Sequence, residues 1–249
     1  MNPVSAPTWA PTLYLVQAQW LNLVRTPAYT LPTLLFPVMF YGFFGLLMIP
    51  GGARPLLGSF ATFGVMGAAL FALGVGIATE RAQGWLKLLR ASPAPVAAVI
   101  LGKAAVAVLF GLVIVVVMSA MAAVFGELRL YTGQWLGFAA VMALGSLTFC
   151  LMGLAFGLWL SPNAAPAVLN LIYLPLGFLS GLWIPAQQFP GWLQELAQWL
   201  PPYHMAALAH AVLGVREAEI GISLLHLGVF SMICLLFAIA GWRRLDGVR

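Results

Sequence analysis

The sequence predicts an all-α membrane protein with six membrane-crossing helices, and three observations carry that expectation. The chain of 249 residues is 63% hydrophobic and 7% charged, with a mean hydropathy of +1.01, whereas soluble domains run near about 25% charged. Its apolar runs are continuous rather than alternating, which fits helices and argues against a lipid-exposed barrel. Breaker clusters at Pro50-Gly51-Gly52, Pro93 and Pro95, Glu127 to Gly133, and Ser161-Pro162-Asn163 cut these runs into lengths near the roughly 20 residues that a bilayer crossing needs.

The first element lies ahead of the crossings. In residues 12–25, Leu13, Val16, Trp20, Leu23 and Val24 share one helical face and Gln19, Asn22 and Arg25 the other. That pattern suits a helix lying in the membrane surface, or a packed connecting helix. The spans follow at 31–50, 58–79, 96–125, 135–160, 165–184 and 221–242. The third is long enough to tilt or protrude.

Charge sets their direction. Arg25, Arg81, Lys87, Arg90, Lys103, Arg243, Arg244 and Arg249 fall on one side of this arrangement, and only Arg54, Arg129 and Arg216 on the other. By the positive-inside rule both termini and the loop between spans two and three are cytoplasmic. The net charge of +5 does not point to nucleic acid, because the basic residues flank apolar runs and form no stripe with interleaved aromatics. Cys150 and Cys234 each sit inside an apolar run, as packing residues rather than a disulfide pair. The Pro-rich N-terminus lacks the basic start of a signal peptide.

The cytoplasmic loop holds an unusual density of charge. On a helix from Glu80 to Arg90, the residues Glu80, Gln83, Gly84, Lys87 and Arg90 occupy one arc. Trp85, Leu86 and Leu89 occupy the opposite arc, with Arg81 misplaced among them. Pro93 and Pro95 stop the helix. Such an element either rests on lipid headgroups or docks into another protein; charge alone leaves both open.

On the other side, Trp192, Leu193, Leu196, Trp199 and Leu200 form a face opposite Gln194, Glu195 and Gln198. This stretch is too short to span and belongs at the outer interface, where tryptophan is favoured. Gly153 with Gly157, and Gly177 with Gly181, each place two glycines four apart, a spacing that lets helix backbones meet closely, within the chain in preference to between two copies of it.

Several function classes fit poorly. A phosphate-binding loop fails at the one Gly-Lys pair, Gly102-Lys103, because positions 97 and 104 are both alanine. The chain is therefore not expected to hydrolyse ATP, and Lys103 is expected to snorkel to headgroups. An ion-coupled carrier needs ionisable groups within its spans, where the sequence offers chiefly His226. A channel lacks a charged ring. His204 and His210 do not share a face well and have no acid or cysteine cluster nearby, so no metal site is expected, nor any cofactor. An intramembrane serine protease using Ser180 and His226 is the enzyme alternative, but Gly177 stands one residue too far from Ser180 for a Gly-x-Ser-Gly motif.

The stretch ERAQGWLKLLRASPAPVAAVILGK resembles the cytoplasmic loop of type-2 ATP-binding-cassette permeases, through Glu80, Arg81, Gly84, Leu86, Leu89, Pro93, Gly102 and Lys103. FLSGLWIPAQQFPGWLQELAQWLPPYHM resembles the outer segment of that family, through Ser180, Gly181, Ile184, Pro185, Pro190, Trp192, Leu200 and Pro201. The resemblance implies one permease domain over 1–249 in a bacterial inner membrane, working as an exporter subunit for hydrophobic or amphipathic cargo. It also implies a separate cytoplasmic ATPase subunit and a second permease subunit. In its terms the charged loop is a coupling helix, with Trp85, Leu86 and Leu89 as apolar anchors and Glu80, Arg81, Lys87 and Arg90 as polar contacts to the ATPase. The outer segment becomes a re-entrant hairpin that narrows the exit.

Overall fold

A computed structural model describes residues 17, 19–21, 27–84 and 96–247 of the protein. Every regular element among the described residues is helical. Helix α1 (Pro27–Phe40) continues into a wider π-helical stretch, Tyr41–Met48. Helices α2 (Ala53–Ala82), α3 (Val96–Phe125) and α4 (Thr132–Trp159) follow. Then come α5 (Ala165–Leu179), the short α6 (Gly191–Ala197), α7 (Pro201–Val212) and the long α8 (Ile220–Gly247).

Among the described residues, five helical segments are long and apolar enough to cross a membrane: Leu31–Met48, Ala53–Ala82, Ala97–Phe125, Thr132–Trp159 and Ile220–Leu245. Each contains an expected span or most of it. The expected fifth span, 165–184, is helical only to Leu179. Gly181 takes a φ of +75°, a left-handed conformation that glycine adopts without steric cost, and a Cβ there would lie 2.9 Å from the Ala186 amide nitrogen. The chain turns back at this point. The 15 residues of α5 rise about 22 Å, less than the roughly 30 Å of a hydrocarbon core.

Helix α2 is the axis of the fold. Of its apolar window 78% is buried, against 17% for the first span and 22% for the last. It packs on α4 and α3 most extensively and also touches α1, α5 and α7. Lipid supplies no hydrophobic drive between helices, so close packing must hold them together. Glycines make that approach possible. A Cβ on Gly153 would lie 2.6 Å from the Leu70 carbonyl oxygen, and one on Gly157 would lie 2.8 Å from that of Gly74. The pair therefore serves packing within the chain. Gly177 lies against the Phe63 ring in the same way.

Several polar side chains inside the bundle are satisfied locally or tie helices together, while the Ser119 hydroxyl on α3 is buried with no hydrogen-bond partner among the described residues. Thr62 donates to the Gly58 carbonyl at 2.8 Å and Ser146 to that of Ala143 at 2.7 Å. Ser231 on α8 donates to the Thr148 hydroxyl on α4 at 2.9 Å. Tyr173 on α5 donates to the Phe63 carbonyl at 3.1 Å and stacks on that ring with centroids 4.4 Å apart. Cys150 and Cys234 are buried free thiols.

Replacing Gly153 with valine forces backbone apart at the α2–α4 contact, where no flexible side chain can yield. Overpacking of this kind costs on the order of 1–3 kcal/mol. Gly76, on α2, has no heavy atom within 4 Å of an added Cβ. Thermal unfolding in detergent should show a clear loss of stability for Gly153→Val and little change for Gly76→Ala.

Candidate functional site

Contacts between helix ends define two ends of the bundle. At one end Arg81 reaches α4 and Glu80 reaches α3. At the other, Tyr41 donates to the Ala53 carbonyl at 2.8 Å, Arg54 to that of Arg129 at 3.3 Å, and Gln134 to that of Val212 at 3.3 Å.

The first end carries the charged loop. Trp85, Leu86, Lys87, Leu89 and Arg90 lie outside the described residues, as do Pro93 and most of 12–25. Glu80 and Arg81 do not begin a new helix, as the periodicity implied; they end α2. The cause is Gly84, whose φ of +77° takes the chain out of the helix directly after Gln83. Arg81, the misfit on the apolar arc, donates from its guanidinium to the carbonyls of Leu158 and Leu160. The last carbonyls of a helix have no partner of their own and carry partial negative charge, so a cation stabilises them. Arg81 thus caps α4 from α2.

Glu80 forms an ion pair with Lys103 on α3, and Lys103 also donates to Gln19 at 3.1 Å. Lys103 is 7% exposed, so it lies inside the protein and not among headgroups, contrary to the expectation from sequence. A carboxylate from α2 gives it a nearer counter-charge than the membrane surface. Of residues 12–25, those described show Gln19 and Trp20 both turned toward the body. The sequence pattern had put them on opposite arcs; the bond to Lys103 explains why Gln19 turns inward. Nearby, Trp159 stacks on Phe237 at 5.0 Å, donates to its carbonyl at 3.2 Å and lies under the Arg244 guanidinium.

A cleft of about 550 Å³ opens between α1, α2 and α5. Its walls include Phe36, Gly67, Phe71, Val75 and Leu174, with the polar groups of Asn170 and Tyr173 among them. Asn170 turns its amide back to the Pro166 carbonyl at 3.0 Å, which leaves the walls largely apolar.

The second end holds the outer segment. Ser180 and Pro201 are buried, Ile184, Pro185 and Pro190 are exposed, and Gly181 makes the turn already described. The expected apolar face of this segment divides. Leu193 and Ala197 pack with Ala186 and Phe189 in a small core of their own. Trp192 and Trp199 instead point outward, 69% and 74% exposed, as tryptophans do at a membrane interface. Gln194 holds the loop by donating to the Phe189 carbonyl at 2.8 Å.

The serine–histidine pairs here are not the one proposed from sequence. The Ser180 hydroxyl has no hydrogen-bond partner among the described residues. His226 bonds to the Ile222 carbonyl at 3.0 Å and stacks on His204 at 4.1 Å. His204 bonds to Ser223 at 3.3 Å and donates to the Gln198 carbonyl at 2.7 Å. His210 on α7 lies 3.2 Å from the Ser59 hydroxyl on α2 and bonds to the Pro55 carbonyl at 2.8 Å. Nothing in the local sequence announces that pairing, which joins residues 151 positions apart. Burial pushes the His210 imidazole down to about 4, with Arg216 adding to the effect and the Pro55 bond opposing it. Burial also lowers His204, with His226 contributing.

The model of the ABC-2 type transporter family matches residues 11–213 of the chain. YvfS of Bacillus subtilis (strain 168), a protein that carries the name of a transport permease, is 28% identical over 200 residues, which cover 76% of this chain and 80% of its own length.

Two outcomes follow from these contacts. Lys103→Met strands the Glu80 carboxylate in a largely enclosed place and should lower stability by about 3 kcal/mol. The double variant Lys103→Met/Glu80→Gln should regain most of that loss, as read from a double-mutant unfolding cycle. His210 releases its proton more readily folded than unfolded, where its value is about 6.5. The unfolded chain therefore binds more protons, and stability is fully present above about pH 6.5 and declines as pH falls through about 4. The full effect is on the order of 3 kcal/mol. His210→Gln should flatten that part of the melting-temperature profile.

Proposed function

Because the chain belongs to the ABC-2 type transporter family, we propose that it is the membrane-spanning subunit of an exporter driven by ATP hydrolysed in a separate cytoplasmic subunit. The chain carries no phosphate-binding loop, since Ala97 and Ala104 stand where one needs Gly and Ser or Thr. Its spans offer no chain of ionisable groups for ion coupling; the Glu80–Lys103 pair lies at one end of the bundle. An engine supplied by a partner fits both facts.

The cleft between α1, α2 and α5 is the observation that carries the transport reading. Its volume of about 550 Å³ and its apolar walls suit a hydrophobic or amphipathic cargo better than a small ion. A second permease subunit, identical or related, would close the open side of the cleft into a route lined by α2 and α5. In this reading α5 is also a crossing, the fifth of six in chain order, and it ends where the chain turns back at Gly181. The termini and the 85–95 segment face the cytoplasm of a bacterial inner membrane, and the α6–α7 segment shapes the outer exit.

The 85–95 segment, with Trp85, Leu86 and Leu89 as anchors and Lys87 and Arg90 at the rim, docks on the ATPase. Glu80 and Arg81 have a different part. They tie the end of α2 to α3 and α4, so that displacement of the docked segment is handed to three helices together.

Co-purification with the proposed ATPase subunit tests the assignment. Trp85→Ala, or Leu86→Asp with Leu89→Asp, should release the ATPase and stop export while the permease remains inserted. Full recovery of both subunits together with normal export in those variants would remove the docking assignment.

A further inference from the structure

The second end of the bundle contains a cavity that the transport reading does not use. It has a volume of about 250 Å³ and lies between the start of α2, the turn after α5 and helix α7. A single buried water needs only roughly 10–15 Å³, so the space admits a small molecule. Ser59, Ser180, Gln187, Tyr203, His210 and Arg216 supply its polar lining.

Two of these groups are buried and unsatisfied. Ser180 is 2% exposed, and its hydroxyl has no partner among the described residues. The His210 Nδ1 is also buried without a partner. Buried polar atoms are nearly always hydrogen-bonded, so such atoms around a cavity point to something that fills it. The chemistry of that occupant can be read from them. The Pro55 carbonyl can only accept, so the His210 Nε2 carries the proton and donates to it at 2.8 Å. Nδ1 is then a lone-pair acceptor and needs an O–H or N–H. The Ser180 hydroxyl can donate. Arg216 makes no ion pair among the described residues and lies with its guanidinium 5.7 Å from the centre of the Tyr203 ring. The cavity therefore presents a cation and a hydroxyl donor for an anion, and beside them an acceptor for a hydroxyl.

We propose that this cavity binds a phosphate ester with a neighbouring hydroxyl, of the glycerol-phosphate or sugar-phosphate kind, held by Arg216 and Ser180 through the phosphate and by His210 Nδ1 through the hydroxyl. Lipid headgroups and soluble phosphorylated polyols share this chemistry. The site stands on its own geometry and does not depend on the exporter assignment, since binding is measured without ATP or a partner subunit.

The test uses the full chain in phosphatidylcholine nanodiscs, titrated with sn-glycerol 3-phosphate by calorimetry and by thermal shift. Saturable binding is expected. Arg216→Gln should weaken it about tenfold and Ser180→Ala about fivefold, as expected for one charge-assisted and one neutral hydrogen bond. Arg129→Gln, an exposed change outside the cavity lining, should leave it unaltered and so controls for general loss of positive charge. Repeating the titration in phosphatidylglycerol nanodiscs separates the sources. Competition there assigns the site to a lipid headgroup, and unchanged affinity assigns it to a soluble ligand; either supports the shared chemistry. Absence of saturable binding in the wild-type protein would overturn the proposal and show a cavity that holds water only; equal affinity in Arg216→Gln would overturn it by showing binding that does not use this cavity's cation.

Discussion

The structure depends on how closely α2 can approach α4. In lipid, apolar side chains gain nothing by leaving one hydrocarbon surface for another, so helix association rests on direct packing and hydrogen bonds. Gly153 and Gly157 on α4 meet the α2 backbone at Leu70 and Gly74 with no side chain between them. That contact seats the helix around which α1, α3, α5 and α7 are arranged. With α2 placed, Tyr173 can reach the Phe63 carbonyl from α5, and His210 can reach Pro55 and Ser59 from α7. The cleft on one flank of α2 and the cavity of about 250 Å³ at its far end are both bounded by the same helix.

Charge is rare in this chain, and its placement follows from the same constraint. The charged groups at the near end of the bundle do not simply face water. Arg81 neutralises the exposed carbonyls of α4, and Glu80 and Lys103 neutralise each other across α2 and α3. The first adds to the glycine contact between α2 and α4, and the second ties α2 to α3. The near end of α2 is therefore fastened in two directions immediately before Gly84 breaks the helix. The outer segment uses other means: a small apolar core under α6, outward tryptophans, and a histidine stack between α7 and α8.

Much of the helical plan was legible in the sequence, because continuous apolar runs and Pro–Gly breaks act locally. Five long apolar helices lie where those runs predict. The glycine spacing in α4 was also legible as a packing signal within the chain. Pairings across many residues were not. Periodicity placed Glu80 and Arg81 on a separate amphipathic helix, since it cannot register that Gly84 takes a positive φ or that a carbonyl of α4 lies within reach of Arg81. It sent Lys103 to the headgroups because the carboxylate that binds it is 23 positions away. It paired Ser180 with His226 by depth alone, whereas the fold turns His226 onto His204 and brings His210 to Ser59. The outer tryptophans and Leu193 share a helical face in projection, yet the core beneath α6 is wide enough only for Leu193 and Ala197.

In the proposed mechanism, the near ends of α2 and α4 form one mechanical unit, which shifts against α1 when the proposed ATPase subunit acts. Spin labels at Gln83 and Ser161 report on the first relation, and labels at Gln83 and Leu31 on the second; all three positions are exposed. Double electron–electron resonance on the permease–ATPase complex, with and without bound nucleotide, measures both distances directly. The account predicts an unchanged Gln83–Ser161 distance and a shifted Gln83–Leu31 distance. A nucleotide-dependent change between Gln83 and Ser161, with Gln83 and Leu31 fixed, would contradict it.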